Sequence, residues 1–171
     1  MGIKKKDRVF FFIQSLLKYS SLPFMQKFRI FLYRFFFKEI GKGVVIKDGI
    51  TFKFPSDISI GDGVKIAENC YIVGLGGLKI GSHTLIGAGT KIVTTSHNFT
   101  DISIPVSSQG ISYKKITIES NVWLGFNVVI LSGSFLKQGT IIGASAVVVG
   151  EVVQENAIMV GIPAKILKIR N

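Results

Sequence analysis

Between Ile111 and Gly150 an aliphatic residue returns at Ile118, Leu124, Ile130, Leu136, Ile142 and Val148, a spacing of six held without slippage. A helix repeats its buried face every 3.6 residues and a half-buried strand every 2, so neither explains this pattern. Four residues after each aliphatic position stand Val122, Val128, Ser134, Thr140, Ala146 and Val152, all small or β-branched. Three residues after it stand Asn121, Asn127, Gly133, Gly139 and Ser145. Gly and Asn tolerate positive φ and suit a tight turn placed once per cycle. Each hexapeptide therefore reads as a short strand with two inward side chains and a turn. Three such units close a triangular coil, and stacked coils bury the inward rows. The pattern predicts an all-β solenoid, a parallel β-helix in which no coil buries its core alone. Leu124 and Ile142, one full coil apart, are expected to stack on one face.

An earlier block repeats the pattern at Ile60, Ile66 and Ile72 and, after two extra residues in GLGG, at Ile80, Ile86 and Ile92. Its small inward partners are Val64, Cys70, Thr84, Thr90 and Ser96, and its turn positions include Gly63, Asn69, His83 and Gly89. The repeat breaks at His97 and resumes at Ile116, so about 20 residues leave the solenoid as a loop over 97–115. A solenoid does not need such a loop to stand, and long excursions from a regular scaffold are where function tends to sit.

Upstream of the repeat the pattern changes. Residues 24–38, FMQKFRIFLYRFFFK, read as a helix. Phe24, Phe28, Phe31 and Phe35, with Met25, Leu32 and Phe36, share one broad arc; Ile30, Tyr33 and Phe37 fall outside it, and Lys27, Arg34 and Lys38 line its edge. Terminal coils of a solenoid need caps, and a capping helix that also packs on a neighbouring subunit is one reading of this segment. Contact with an anionic membrane surface is the other, because Phe with Lys and Arg is the interfacial combination. The expected organisation is a basic, Phe-rich helical arm over 1–40, a β-helix over 41–160 and a basic tail over 161–171.

Charge sharpens that division. The chain carries a net charge of +11, and residues 1–38 hold nine Lys/Arg against a single Asp together with nine of the fourteen Phe. The remainder of the chain is nearly balanced. The longest uncharged run of the arm, VFFFIQSLL, has nine residues, far short of the ~20 needed to cross a bilayer. KKKDR followed by that run has the outline of a signal peptide, but no A-x-A-like site follows. The bases are interleaved with buried-type Phe and no recognition module is legible, which argues against nucleic acid as a partner. The one cysteine, Cys70, excludes an internal disulfide and falls in the inward row, where a small core residue is wanted.

The hexapeptide rows, TTSHNF at 94–99, NVWLGFNVVILSG at 121–133, GASAVV at 143–148 and GIPAKILKIR at 161–170 resemble the left-handed β-helix acyltransferases, in particular the maltose, galactoside and polysaccharide O-acetyltransferases. The resemblance covers about residues 41–170. It implies a left-handed coil, against the usual crossover preference, and a homotrimer with active sites between subunits. It also implies acetyl-CoA as acyl donor, no required metal, and a hydroxyl of a sugar or a cell-surface polysaccharide precursor as acceptor. Direct transfer needs a base for the hydroxyl proton, a donor for the developing oxyanion and a groove for the coenzyme. His97 matches the family's catalytic His, and Asn98 beside it is a candidate substrate-binding residue; a neutral imidazole at His97 can accept the proton. Asn69 matches an acceptor-contacting Asn, though a turn Asn has its own structural reason to stand there. Trp123 matches an aromatic near the thioester and reads equally as a residue at a subunit seam. Phe126 and Ala144 match positions whose backbone contacts the coenzyme arm. Lys165 and Lys168 match basic residues near its phosphates, where point charges suffice, and read otherwise as a solvated tail.

Two departures matter. Val149-Gly150 stands where many relatives carry Thr-Lys, and the arm lacks a clear match to the acidic residue that sugar acetyltransferases use for substrate. A lipid-linked or polymeric glycan therefore gains weight as acceptor, and with it a cytoplasmic enzyme peripheral to the inner face of the membrane. Among competing readings, a zinc-dependent γ-type carbonic anhydrase needs three His, and the chain has two, with His83 in a turn slot. A non-catalytic solenoid scaffold would favour flat polar arrays and no long loop. An N-acetyltransferase acting on an amino sugar or a nucleotide-linked amino sugar remains the alternative, since His-assisted acetylation looks alike for amine and hydroxyl.

Overall fold

The computed structural model describes residues 4–171 of the chain. From Glu39 onward the chain winds into a triangular prism with three parallel sheets. The first face stacks strands at 39–40, 58–60, 78–80, 116–118, 135–136 and 151–152. The second stacks 45–46, 65–66, 85–86, 123–124, 141–142 and 157–160, and the third 51–53, 71–73, 91–93, 129–130 and 147–148. The strands are this short because each hexapeptide spends its remaining residues on a corner. Leu124 lies in parallel register with Ile142 on one side and Ile86 on the other, as the eighteen-residue spacing requires. The aliphatic row from Ile118 to Val148 and the small row from Val122 to Val152 are buried. Every turn position read from the sequence adopts positive φ, including the non-glycine residues Asn69, His83, Asn121, Asn127 and Ser145.

A further coil, with Ile40, Ile46 and Phe52 inward, precedes the block legible in the sequence and pairs in register with Ile60, Ile66 and Ile72. Its step from Phe52 to Ile60 is eight residues, like that from Ile72 to Ile80, and the extra length forms a 3-10 turn at Pro55–Asp57. In the inward row, Cys70 is held against the carbonyls of Ala67 and Gly87, and burial pushes its thiol up to about 11. It is a packed, neutral side chain. One inward assignment is corrected. Ser96 is exposed, and Thr94 fills the corner instead, donating to the Val73 carbonyl at 3.0 Å and accepting from Gly76 N–H at 3.1 Å. Those bonds keep Thr94 inside, so the chain peels away two residues earlier than the phase suggests.

The arm holds two helices, α1 at Lys5–Leu17 and α2 at Pro23–Tyr33, rather than one helix over 24–38. Pro23 starts α2 at the position where its missing N–H costs nothing. Past Tyr33 the chain turns into the first strand of the prism. The buried face is also not the expected arc. Tyr33 and Phe37 are 1% and 3% exposed, whereas Phe24, Phe28, Phe31 and Phe35 are 46–66% exposed. Tyr33 and Phe37 stack on each other and pack edge-on against Phe52 of the first coil, and Phe10 of α1 packs edge-on against both of them.

Polar contacts decide that rotation. Buried Arg29 donates to the carbonyls of Leu17 and Lys18 at the end of α1, at 3.1 and 3.0 Å, and reaches Ile46 O on the open edge of the second face at 3.5 Å. Gln14 of α1 does the same for the third face: its carbonyl oxygen accepts from Phe52 N–H at 2.7 Å and its amide donates to Phe52 O at 3.2 Å. The amide thus stands in for the strand that the first coil lacks, which answers the edge problem of any unpaired strand. Arg34 donates to Gly41 O at 2.8 Å at the remaining corner. Residues 161–171, expected as a tail, instead fold back: Lys165–Ile169 forms a strand antiparallel to Ala157–Val160, and Arg170 donates to Gly139 O at 2.9 Å.

Gln14→Ala should therefore leave a buried edge N–H unpaired and lower stability by about 1–3 kcal/mol. The exposed neighbour substitution Ser15→Ala should cost less than ~0.5 kcal/mol. Urea unfolding reads the difference, and equal midpoints for the two variants would contradict the capping role.

Candidate active site

The excursion opens as a hairpin. Thr95–His97 pairs antiparallel with Ile111–Tyr113, with His97 opposite Ile111. Its base is pinned by the next coil: Ser132 Oγ donates to Thr94 O at 2.8 Å and accepts from Lys114 N–H at 3.0 Å, so one hydroxyl holds both legs. Beyond His97 the loop is ordered from within. Gln109 donates to the carbonyls of Asp101 and Ile104 and accepts from Asp101 N–H. Asp101 accepts from Ser103 hydroxyl and N–H, and these bonds hold its carboxyl below the usual carboxylate range. Asn98 N–H donates to Gly110 O at 3.1 Å and its side-chain amide to Gln109 O at 3.0 Å. Asn98 is therefore a loop-closing residue beside His97. The His97 side chain is exposed, on a strand whose position is fixed from both sides.

His83 differs in kind. It occupies a left-handed turn at φ 58 with its ring over Gly63, where an added Cβ would come within 2.7 Å of Nδ1. Its conformation and packing are those of a corner residue, as its slot in the repeat suggests.

The other candidates gather elsewhere. Trp123 stands outward on the second face in register between Leu85 and Ile141, and is half exposed. Beside it a shallow groove of about 240 Å³ is lined by Lys47, Lys65, Ala67, Glu68, Leu85 and Trp123. Asn69, Phe126 and Ala144 occupy the corner between the second and third faces. Asn69 has φ 59, and its side chain packs on Gly49, where a Cβ would overlap it. Phe126 projects into solvent while its carbonyl accepts from Ser145 N–H at 2.8 Å. Lys165 and Lys168 extend from the closing strand of the second face, paired with Val160 and Ile158, and both are exposed.

The structure thus sorts the candidates into two sets. His97 and Asn98 leave from the corner between the third and first faces. Trp123 lies on the second face, which is the side of the triangle opposite that corner. Asn69, Phe126, Ala144, Lys165 and Lys168 go with Trp123. Three residues escaped the sequence reading. Leu85 extends the apolar patch around Trp123 and was visible as an aliphatic in an outward slot. Ser132 and Gln109 carry no pattern, because their role depends on which backbone groups the fold brings to them.

No protein-family model matches the sequence. WbbJ of Escherichia coli K12, ascribed to lipopolysaccharide biosynthesis as an O-acetyl transferase, is 35% identical over 118 residues, 65% of this chain and 60% of WbbJ. WcaF of the same organism, ascribed to colanic acid biosynthesis as an acetyltransferase, is 26% identical over 165 residues, 96% of this chain and 87% of WcaF. The chain therefore spans less than two thirds of WbbJ and most of WcaF. Among solved structures, the hexapeptide-repeat acetyltransferase VCA0836 of Vibrio cholerae O1 biovar eltor, complexed with acetyl coenzyme A, superposes with a TM-score of 0.85 at 28% identity, covering 97% of this chain and 87% of that one. With this six-residue register and a match over nearly its whole length, the chain shares the left-handed β-helix fold of the hexapeptide-repeat acetyltransferases, and the relatives it matches are acetyltransferases.

Proposed function

We propose that the chain is an acetyl-CoA-dependent O-acetyltransferase that modifies a hydroxyl of a sugar or of a cell-surface polysaccharide precursor. The observation that carries the reading is the setting of His97: an exposed imidazole on a hairpin that the solenoid does not need, pinned by Ser132 at the exit from the repeat. The ascribed roles of WbbJ and WcaF in polysaccharide synthesis support the acceptor class. The acetyl coenzyme A bound to VCA0836 supports the donor.

In this reading His97 takes the proton of the acceptor hydroxyl as its oxygen bonds to the acetyl carbonyl. The carbon–sulfur bond breaks, and the imidazolium returns the proton to the leaving thiolate. The residues present fit such a donor. Phe126 and Ala144 give an exposed corner along which an extended pantetheine chain can lie, and Lys165 and Lys168 place cations for phosphate beyond it. With Val149-Gly150 in place of Thr-Lys, that charge falls on the closing strand. Trp123 and Leu85 supply an apolar wall, and Asn69 stands on the same corner as Phe126. In this reading the reaction takes place in the cytoplasm, where acetyl-CoA is available.

His97 and the Trp123 set cannot meet within one prism, so the reading requires a second copy. A closed homotrimer, in which each hairpin reaches a neighbour's second face, supplies three equal sites. Half-exposed Trp123 and Leu85 then gain cover that a lone prism does not give them. Light scattering should report a trimer at micromolar concentration. A monomer mass there would remove the shared site and the reading with it.

His97→Ala should lower turnover with acetyl-CoA by about 10²–10⁴ while leaving the trimer and coenzyme affinity intact. His83→Asn should be mild. Thiol release and product mass across a panel of glycan and nucleotide-sugar acceptors measure both. Equal losses for the two substitutions would show that His97 is not the base.

A further inference from the structure

We infer that the outer faces of α1 and α2 form one docking surface for an anionic lipid bilayer. The inference goes beyond the acetyl-transfer reading and does not depend on it. Each arm helix has two opposite stripes. On α1 the inner stripe is Asp7, Phe10 and Gln14, all buried against the first coil. The outer stripe is Val9, Phe12 and Leu16, continued by Tyr19 just beyond the helix, all exposed. Phe12 follows Phe10 by two residues, which is about 200° around a helix, so the stripes face opposite ways. On α2 the inner residues are Arg29 and Tyr33, and the outer stripe is Phe24, Phe28, Phe31 and, past its end, Phe35. Because the inner stripes close the open end of the prism, the outer stripes point off that end.

The charges of the arm are sorted the same way. The only acidic residue within 1–38, Asp7, is buried and accepts from Ser56 N–H and Oγ, while the exposed Glu39 belongs to the first strand of the prism. Arg29 is the one fully buried base, and its charge is spent on carbonyls of α1 and the first coil. What remains outward is basic: Lys5, Lys6 and Arg8 at the start of α1, and Lys27, Arg34 and Lys38 along and beyond α2. The exposed surface of the two helices is thus aromatic and aliphatic stripes with cations beside them and no acid.

This chemistry selects the occupant. Protein interfaces are depleted in Lys at their cores, and a second copy set on this face would bring its own cations against these. An anionic leaflet takes both features, the stripes into the acyl boundary and the cations at the head groups. At 13 and 11 residues the helices span ~20 and ~17 Å, less than the ~30 Å hydrocarbon core, so they lie along the surface.

The test uses the full chain in co-sedimentation with vesicles of phosphatidylcholine alone and of a phosphatidylcholine–phosphatidylglycerol mixture, at low and high salt. Two variants accompany it: an apolar one (Phe12→Ser, Leu16→Ser, Phe28→Ser, Phe31→Ser) and a charge one (Lys5→Glu, Lys6→Glu, Arg8→Glu). Thermal unfolding and light scattering are measured on each. The expected result is salt-sensitive binding to the anionic vesicles that falls roughly tenfold or more in the charge variant. The apolar variant should fall comparably, with the oligomer unchanged. Absence of binding by the wild-type chain overturns the inference, as does equal binding to both vesicle types at high salt. Loss of the oligomer in the apolar variant with vesicle binding retained would assign the face to contact between copies. Thiol release with a soluble acceptor, unchanged in both variants, separates this outcome from failure of the acetyl-transfer reading.

Discussion

No strand of the prism proper exceeds four residues, so none can stand except through the N–H···O ladder that runs along the axis to the next coil. A parallel ladder of this kind is complete only in its middle, and both ends expose a full set of unpaired backbone groups. The N-terminal end is closed by side chains, with Gln14 on Phe52, Arg29 on Ile46 and Arg34 on Gly41. The C-terminal end is closed by backbone. Lys165–Ile169 adds to the second face, while Val147 N–H donates to Gly161 O and Ala164 N–H to Val147 O on the third. The same constraint decides where the chain can leave. An excursion from mid-strand would cut the ladder, so the hairpin departs at a corner, and Ile116–Ile118 rejoins in register with Leu78–Ile80.

The inward row shows how the ladder tolerates polarity. Thr84 and Thr90 are buried, yet each donates to a carbonyl of the next coil, Glu119 O at 3.3 Å and Gly125 O at 3.2 Å. A corner carbonyl has lone pairs that an inward hydroxyl can reach. Ser134 uses Leu131 O in the same way. A β-branched or small side chain fits the corner, and its hydroxyl is neutralised locally, which is why these positions could be read as core although several are polar. Thr140 is the exception; its buried hydroxyl has no partner.

The solenoid was legible because its constraint repeats. The same two inward slots and the same positive-φ turn recur in coil after coil, so the signal accumulates along the chain. The arm offered no repetition. A helix apolar on several sides does not announce its inner face, and the face was chosen by Arg29 and Gln14, polar residues whose task is to reach carbonyls and an edge N–H far away in sequence. The exit of the loop was misplaced by two residues for a similar reason, since Thr94 and Ser132 hold it through single hydrogen bonds. His97 was visible as the histidine at the break. Its separation from Trp123 by a whole prism emerges only when the hexapeptides are assigned to faces.

A prism whose stability resides in its inward rows and axial ladder leaves its outer surface free, so apolar groups displayed there need a reason outside the single chain. Such displays among the described residues include Trp123 with Leu85 on the second face, Phe99, Ile102, Ile104 and Val106 on the loop, the stripes of the arm, and Val160, Ile162, Ile166 and Leu167 at the closing end. Their charge settings differ. The first has Lys47, Lys65 and Glu68 beside it, and the second surrounds Asp101, so both can meet a partner surface that carries either sign. The two helices of the arm show cations only, their one acid, Asp7, being turned inward. Mixed settings suit the proposed seam between copies, where a hairpin from one chain lies on the face of the next. A purely basic setting suits a surface of uniform negative charge. The proposed assembly and site thus lie on the flanks of the prism and the proposed docking at its capped end, and the two are compatible because they use no residue in common.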